Sequence, residues 1–186
     1  PAVVVVAYFG RLRKIMSNAK RAELADTGRG AVGKAAVVGV KDRGTNRVAV
    51  RHVAKTDAPH LAGFAAEKVK FGATIYSDEA TVYQVLDAWY QHEAVNHSAG
   101  EYVRGMAHTN GMESFWSMLK RAHKGIYHKF SMKHLHRYIV EFAGRHNIRN
   151  AGTLAQMASL AAGMAGKRLT YAALIADNGL PSGARC

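Results

Sequence analysis

The chain opens PAVVVVAYFG, and this apolar run constrains the fold more than any other stretch. Valine is stiff at χ1 and crowds a helix, but it packs well on a pleated surface. Val3 to Phe9 is therefore predicted to be a buried strand. Ala2 to Phe9 is too short to span a bilayer, and it lacks the basic flank and small-residue cleavage pattern of a signal peptide. No acidic residue lies within it.

Downstream, GRLRKIMSNAKRAELADTGRG reads as a polar, basic connection that includes a short helix. KAAVVGVKD, the turn RGTN and RVAVRHVA then predict a β-hairpin, with Gly44, Thr45 and Asn46 supplying the turn chemistry. From Asp57 the pattern becomes helical. Asp57 suits the N-cap and Pro59 the first turn, while Leu61, Phe64, Ala65 and Val69 recur at helical spacing, as a crossover helix would. GATIYS is a short strand ending at Asp78, followed by a helix carrying Val82, Val85, Leu86 and Trp89. HEAVNHS reads as a fifth strand. Beyond residue 108, NGMESFWSMLKRAHKG and SMKHLHRYIVEFAGRHN are helices, and Met112, Phe115, Trp116 and Leu119 form a core-facing stripe at i, i+3, i+4, i+7. Ala151 to Ala165 and Thr170 to Asn178 read as packing helices. This order predicts an α/β fold, a mixed sheet of about five strands flanked by helices, with C-terminal helices.

A chain of 186 residues with 48% apolar side chains can bury a real core. Its single cysteine, Cys186, permits no internal disulfide, which fits a reducing cytoplasm. The net charge of +13 points to a polyanionic partner, most often nucleic acid. The charge is unevenly spread: residues 1–70 carry 14 basic and 5 acidic side chains, residues 71–100 carry 4 acids and no Lys or Arg, and residues 103–149 carry 9 basic and 2 acidic. An acidic island thus lies between two basic blocks. An anionic membrane surface is a poorer partner, because no lysine-rich helix has large apolar residues opposite.

Two motifs fail on context. Gly28, Gly30 and Gly33 satisfy G-x-G-x-x-G, and Gly28, Gly33 and Lys34 approach a P-loop. Either motif needs a strand before it and a helix after it, whereas a polar segment precedes these glycines and a β-branched strand follows. Ala35 also stands where a P-loop needs Ser or Thr, so no nucleotide cofactor is expected. Ten histidines, six of them between His108 and His146, suggest zinc. However, His134 and His136 are two apart, on different helix faces, and no cysteine pair accompanies them.

The chemistry-bearing constellation is sparser. Asp78 ends a strand, Glu113 lies in the first turn of a later helix, and Lys120 lies two turns further on the same side. Carboxylates converging from a strand end and a helix can hold divalent cations for in-line phosphoryl transfer, while basic surroundings hold a polynucleotide. Singly, each acid has a plainer role. Asp78 suits a helix cap, and Asn110 with Glu113 has capping-box spacing.

GRGAVGKAAVVGVKDR, IYSDE and VNHSAGEYVRGMAHTNGMESFWSMLKRAHKGIYHKFSMKHLHRYIVEFAGRHNIR resemble the catalytic domain of bacterial insertion-sequence transposases of the Asp-Asp-Glu superfamily, with a ribonuclease-H-like fold. The similar branch normally carries an N-terminal zinc ribbon, which a chain starting at Pro1 is expected to lack. The resemblance runs from about Tyr8 to Arg149. It implies that Asp78 and Glu113 are the second and third triad acids, catalytic and metal-binding, with Asn110 as the competing third-position residue. It implies further that Lys120, with Arg121, Lys124, Arg104 and Asn110, contacts DNA. Counting back from Tyr8 puts the first triad acid at Val5 and its glutamate neighbour at Val6, so that position is vacant.

The expectation is a ribonuclease-H-like catalytic domain over residues 1–149 and a helical extension over 150–186. The implied function is Mg²⁺- or Mn²⁺-dependent DNA strand cleavage and strand transfer, impaired because Val5 has no lone pair to offer a metal. The alternative is a non-catalytic, basic DNA-binding module derived from a transposase. Expected partners are double-stranded DNA, at transposon ends and target, and further copies of the chain. The expected location is the bacterial cytoplasm, at the nucleoid.

Overall fold

The computed structural model describes residues 1–10, 18, 34–95, 108–127 and 130–176. Its centre is the valine run. Strand β1 (Ala2–Phe9) is the middle of a five-stranded sheet ordered β3-β2-β1-β4-β5, with β2 Ala35–Asp42, β3 Val48–Val53, β4 Thr74–Asp78 and β5 Gln91–Val95. β1 is antiparallel to β2, and β2 to β3, whereas β1–β4 and β4–β5 are parallel. The predicted mixed α/β sheet of ribonuclease-H-like order is therefore present.

A central strand must be apolar on both faces, and β1 is. Val3, Val5, Ala7 and Phe9 pack on one side with Met112, Phe115, Trp116 and Leu119 of α2 (Asn110–Gly125) and Leu135, Ile139 and Ala143 of α3 (Leu135–Ile148). Ala2 and Val4 pack on the other with Leu61, Phe64 and Ala65 of α1 (Ala58–Lys68) and with Tyr83 and Leu86. Fully buried side chains such as Phe115, Leu119 and Ile139 each contribute roughly 1.5–3 kcal/mol of hydrophobic stabilisation. The stripe predicted for α2 is thus its core face. Helix α1 begins as its sequence suggests, with the Asp57 carboxylate accepting the His60 N–H and a proline in the first turn. In the β2–β3 turn the left-handed position falls on Asn46, at φ 58°, a conformation asparagine tolerates better than most residues.

Gly39 sets how closely α2 can sit. It faces Val5 across the β1–β2 ladder, and a Cβ there would come 2.5 Å from Met112 Cε and 2.6 Å from the Trp116 ring. The missing side chain lets α2 settle on the sheet beside Val5. At the sheet's other edge, Asn147 of α3 grips β3. Its Oδ1 accepts the Val48 N–H at 2.7 Å and its Nδ2 donates to the Val48 carbonyl at 2.9 Å.

Three expectations differ from what is found. The helix after Asp78 is a 3₁₀ helix, Thr81–Ala88, pinned by Tyr83, whose hydroxyl accepts the Val6 N–H at 2.9 Å. Helix α2 is capped at Thr109 and starts at Asn110, so Asn110 and Glu113 form no capping box. The C-terminal stretches are helical, as α4 (Thr153–Met164) and α5 (Tyr171–Ile175), but neither contains a buried residue, so they are not packing helices among the described residues. None of their residues belongs to either core cluster, whose members come from the sheet, α1, α2, α3 and the 3₁₀ segment. The glycine-rich connection with Gly28, Gly30 and Gly33, together with Arg104, Asn178 and Cys186, lies outside the described residues.

Candidate functional site

The sheet register carries Asp78 towards Val5. β1 and β4 run parallel and pair at Ala2–Ile75 and Val3–Tyr76, and Asp78 ends β4 two residues beyond the last of these pairs. Adjacent strands are about 4.8 Å apart. Side chains alternate along a strand, so Asp78 shares the face of Tyr76, which packs in the cluster beneath α2. Glu113 comes from α2 onto this same face.

Val5 and Glu113 line one cleft of about 630 Å³. Val5, Val6 and Tyr8 form its strand wall, and Glu113, Ser117, Lys120, Arg121 and Lys124 form its helix wall. These helix residues recur every three or four positions because that spacing keeps them on one side of α2 while Phe115 and Leu119 point into the core. Lys34 also lines the cleft. In the sequence it figured only in a failed phosphate loop; its position just before β2 was the available signal. Asn110 is exposed in the first turn of α2 and does not line the cleft, and Arg104 lies outside the described residues.

Both acids are held locally. The Thr109 hydroxyl, itself buried, donates to Glu113 Oε1 at 2.6 Å. Asp78 Oδ1 accepts the Ala80 N–H at 3.2 Å, which fixes the bend leaving β4 rather than capping the 3₁₀ helix at its N-cap, Ala80. Burial, and then the negative charge of Asp78, push the Tyr83 phenol well above its usual range, so Tyr83 is a neutral hydroxyl between β1 and the Asp78 bend.

A second support of β4 was not visible in the sequence. Ser77 Oγ donates to the Asp78 carbonyl at 2.8 Å and lies 2.7 Å from His92 Nε2, while His92 Nδ1 pairs with Asp87. The order Ser-His-Asp has the form of a hydrolytic triad, but Ser77 is fully buried, so the hydroxyl anchors backbone instead of meeting a substrate. The side chains converge from residues 77, 87 and 92 only because β4 and β5 are parallel neighbours.

The cleft therefore joins an apolar strand wall to a helix wall rich in cations. The isopropyl group of Val5, 8% exposed, occupies the place opposite Glu113. Among the described residues no group of three or more His, Cys, Asp or Glu side chains is placed to hold a metal ion. Nor is any described helix long and apolar enough to cross a membrane.

Comparison with known proteins bears on this arrangement. No curated protein matches the chain. A family model does, over residues 6–147, from the strand wall through α2 to the Asn147 grip. That match covers well over half of the chain and supports a DNA transposase function, with DNA the implied partner. The chain belongs to the ISXO2-like transposase domain family.

Proposed function

We propose that this chain is a transposase catalytic domain, residues 1–149 with a helical extension over 150–186, whose DNA-holding wall is intact and whose metal site is degenerate. It would act as a homo-oligomer on transposon-end and target DNA. The carrying observation is the position of Val5, on the α2-facing side of the central strand and in one cleft with Glu113; Asp78, at the end of the neighbouring parallel strand, does not line that cleft.

The donor set does not fit a two-cation site. Two divalent ions need several oxygen ligands between them, and the strand wall offers only hydrocarbon at Val5 and Val6. What remains suits phosphate. Lys34, Lys120, Arg121 and Lys124 surround the cleft with cationic donors, which attract a polyanion whatever its sequence. Asp78 and Glu113 stay in the roles of second and third acid.

The non-catalytic alternative rests on Val5 as well. It is not merely an absent ligand but a member of the hydrophobic cluster with Phe115 and Trp116, so the position now serves the core.

One experiment separates the readings. With Mg²⁺ or Mn²⁺, nicking of a duplex end should be near background for the natural chain. Val5→Asp, alone or with Val6→Glu, should raise it by on the order of a thousandfold, the equivalent of several kcal/mol of transition-state stabilisation. Duplex binding should be salt-dependent and indifferent to the metal, and replacing Lys120 and Lys124 by Ala should lower the salt slope by about one per lost phosphate contact. Failure of both acid variants to nick while binding stays intact would favour the non-catalytic module. Full-rate nicking by the natural chain, abolished by Asp78→Ala, would overturn the degenerate site.

A further inference from the structure

The end of the sheet remote from the cleft carries a second cavity, of about 510 Å³. It opens on the α1 side, since Ala2, Val40 and Ala49 of its lining pack with the cluster beneath α1. Val40, Ala49 and Val69 supply an apolar floor, and Arg47, Lys68 and Lys70 bring three cations to it. Lys68 shares Glu67 with Arg51, whereas Arg47 and Lys70 have no ion-pair partner among the described residues. Asp42, the acid of the lining, is occupied by its own turn, where it accepts the Gly44 and Thr45 N–H groups and the Thr45 hydroxyl.

The cavity adjoins a shelf of exposed aromatic rings. Lys70, Phe71, Gly72 and Ala73 form a tight turn, closed by the Ala73 N–H donating to the Lys70 carbonyl at 3.2 Å. Gly72, at φ 75°, takes the left-handed position that a type II turn requires. The turn presents Phe71, 67% exposed, with its ring parallel to that of Tyr90 (3° apart, centroids 5.9 Å). Trp89, 47% exposed, is tied to the same turn, its carbonyl accepting the Gly72 N–H at 2.9 Å. Shelf and cavity are continuous: Lys70 and Ala73 line the cavity, and the Tyr90 hydroxyl donates to the carbonyl of Val69 in its floor at 3.3 Å. Asp87, two residues before Trp89, is paired with His92.

We propose that this surface binds single-stranded DNA. Sites for unpaired strands combine cations that follow the phosphates with aromatic faces on which bases stack, and both occur here side by side. In a duplex each base face is covered by its neighbour, so only an unpaired base can lie flat on Phe71 or Trp89. An acidic peptide would answer Arg47 and Lys70 but has no planar base to stack on the rings. The cavity's volume is that of a site for one small-molecule-sized group, such as a single nucleotide. Ala2 of this cavity and Tyr8 of the cleft are six residues apart on β1, roughly 20 Å, so a strand held here leaves the cleft free for duplex. The inference thus adds a second form of DNA to the duplex of the proposed function, at a separate place.

It is tested on the full chain by fluorescence anisotropy, with a labelled single-stranded oligothymidylate and a labelled duplex titrated in parallel. The natural chain should bind the single strand at micromolar concentration, less tightly as salt rises. Phe71→Ala with Trp89→Ala should weaken that binding about tenfold or more, with duplex binding and the circular dichroism spectrum unchanged. Phe71→Ala alone, at the more exposed position, should give part of the loss. Arg47→Ala with Lys70→Ala should lower the single-strand salt slope by about 0.7 per lost phosphate contact. An abasic strand of the same length should bind the natural chain as weakly as oligothymidylate binds the double aromatic variant. Absence of single-strand binding in the micromolar range would overturn the proposal, as would an affinity indifferent to loss of the rings or of the bases. Displacement of the strand by an equal concentration of oligoglutamate would also overturn it, assigning the surface to acidic proteins. Normal duplex binding by Lys120→Ala with Lys124→Ala, while single-strand binding still depends on Phe71, would count against the proposed function alone.

Discussion

The two walls of the cleft are built on opposite terms. The strand wall is hydrocarbon, continuous with the core through Val5, whereas the helix wall carries one carboxylate and three cations on a helix whose opposite face is equally buried. The difference shows which functions a site can lose separately. On the proposed reading, phosphate attraction depends on long, solvated side chains on the outer face of α2, and little in the core constrains them. On the same reading, metal binding would depend on an acid inside the central strand, where an apolar replacement is rewarded at once by packing. A change from acid to valine at such a position would remove chemistry while leaving the fold at least as stable.

The strongest way to break this contrast is to restore the acid. Val5→Asp sets an ionised carboxylate against the core cluster of Phe115 and Trp116, in one cleft with Glu113, and should lower stability in metal-free buffer by roughly 1–3 kcal/mol, the desolvation cost left after the cleft's lysines offset part of the charge. Mn²⁺ should then raise the melting temperature of the variant and leave that of the natural chain unmoved. Equal responses of the two proteins would mean that position 5 is not a metal position.

A second substitution tests the spacing between the walls. Gly39→Ala forces a methyl against Met112 and the Trp116 ring and should cost roughly 1–3 kcal/mol in urea unfolding. Because α2 would lift, duplex binding should weaken as well, although no phosphate contact is altered. Unchanged stability would show that α2 does not depend on that close approach.

Much of this was legible in the sequence, for reasons that can be named. The α2 stripe, the β2–β3 hairpin and the Asp57 cap depend on residues a few positions apart, and local spacing reports them directly. Val5 and Glu113 stand 108 positions apart, and it was the family resemblance rather than any spacing that linked them. Tyr83 bonding to Val6, Gly39 beneath Trp116 and Ser77 beside His92 each join segments that no periodicity relates. The C-terminal helices were recognised as helices, since periodicity reports an apolar face, but not as exposed, since it does not report what covers that face.

The mildest prediction concerns the support behind the helix wall. His146 of α3 meets Phe115 of α2 edge-on at 5.1 Å, and its Nε2 is buried without a partner. Burial, then Arg149 and Lys41, push its imidazole down from 6.5 to about 4. The folded state thus favours the neutral ring. Its contribution is fully present above the unfolded value and is lost as pH falls from about 6.5 towards about 4. The urea midpoint should decline over that window, and His146→Phe should reduce the slope. An unaltered slope would assign the pH dependence to other histidines.

The grip of Asn147 on Val48 carries a consequence for crowded cells. The outer rim of a β-sheet is an open template, ready to recruit foreign polypeptide into amyloid-like stacking. By meeting both backbone groups of Val48, the carboxamide imitates the peptide unit of a neighbouring strand and blunts that rim. A protein blunted there is steered away from runaway polymerisation.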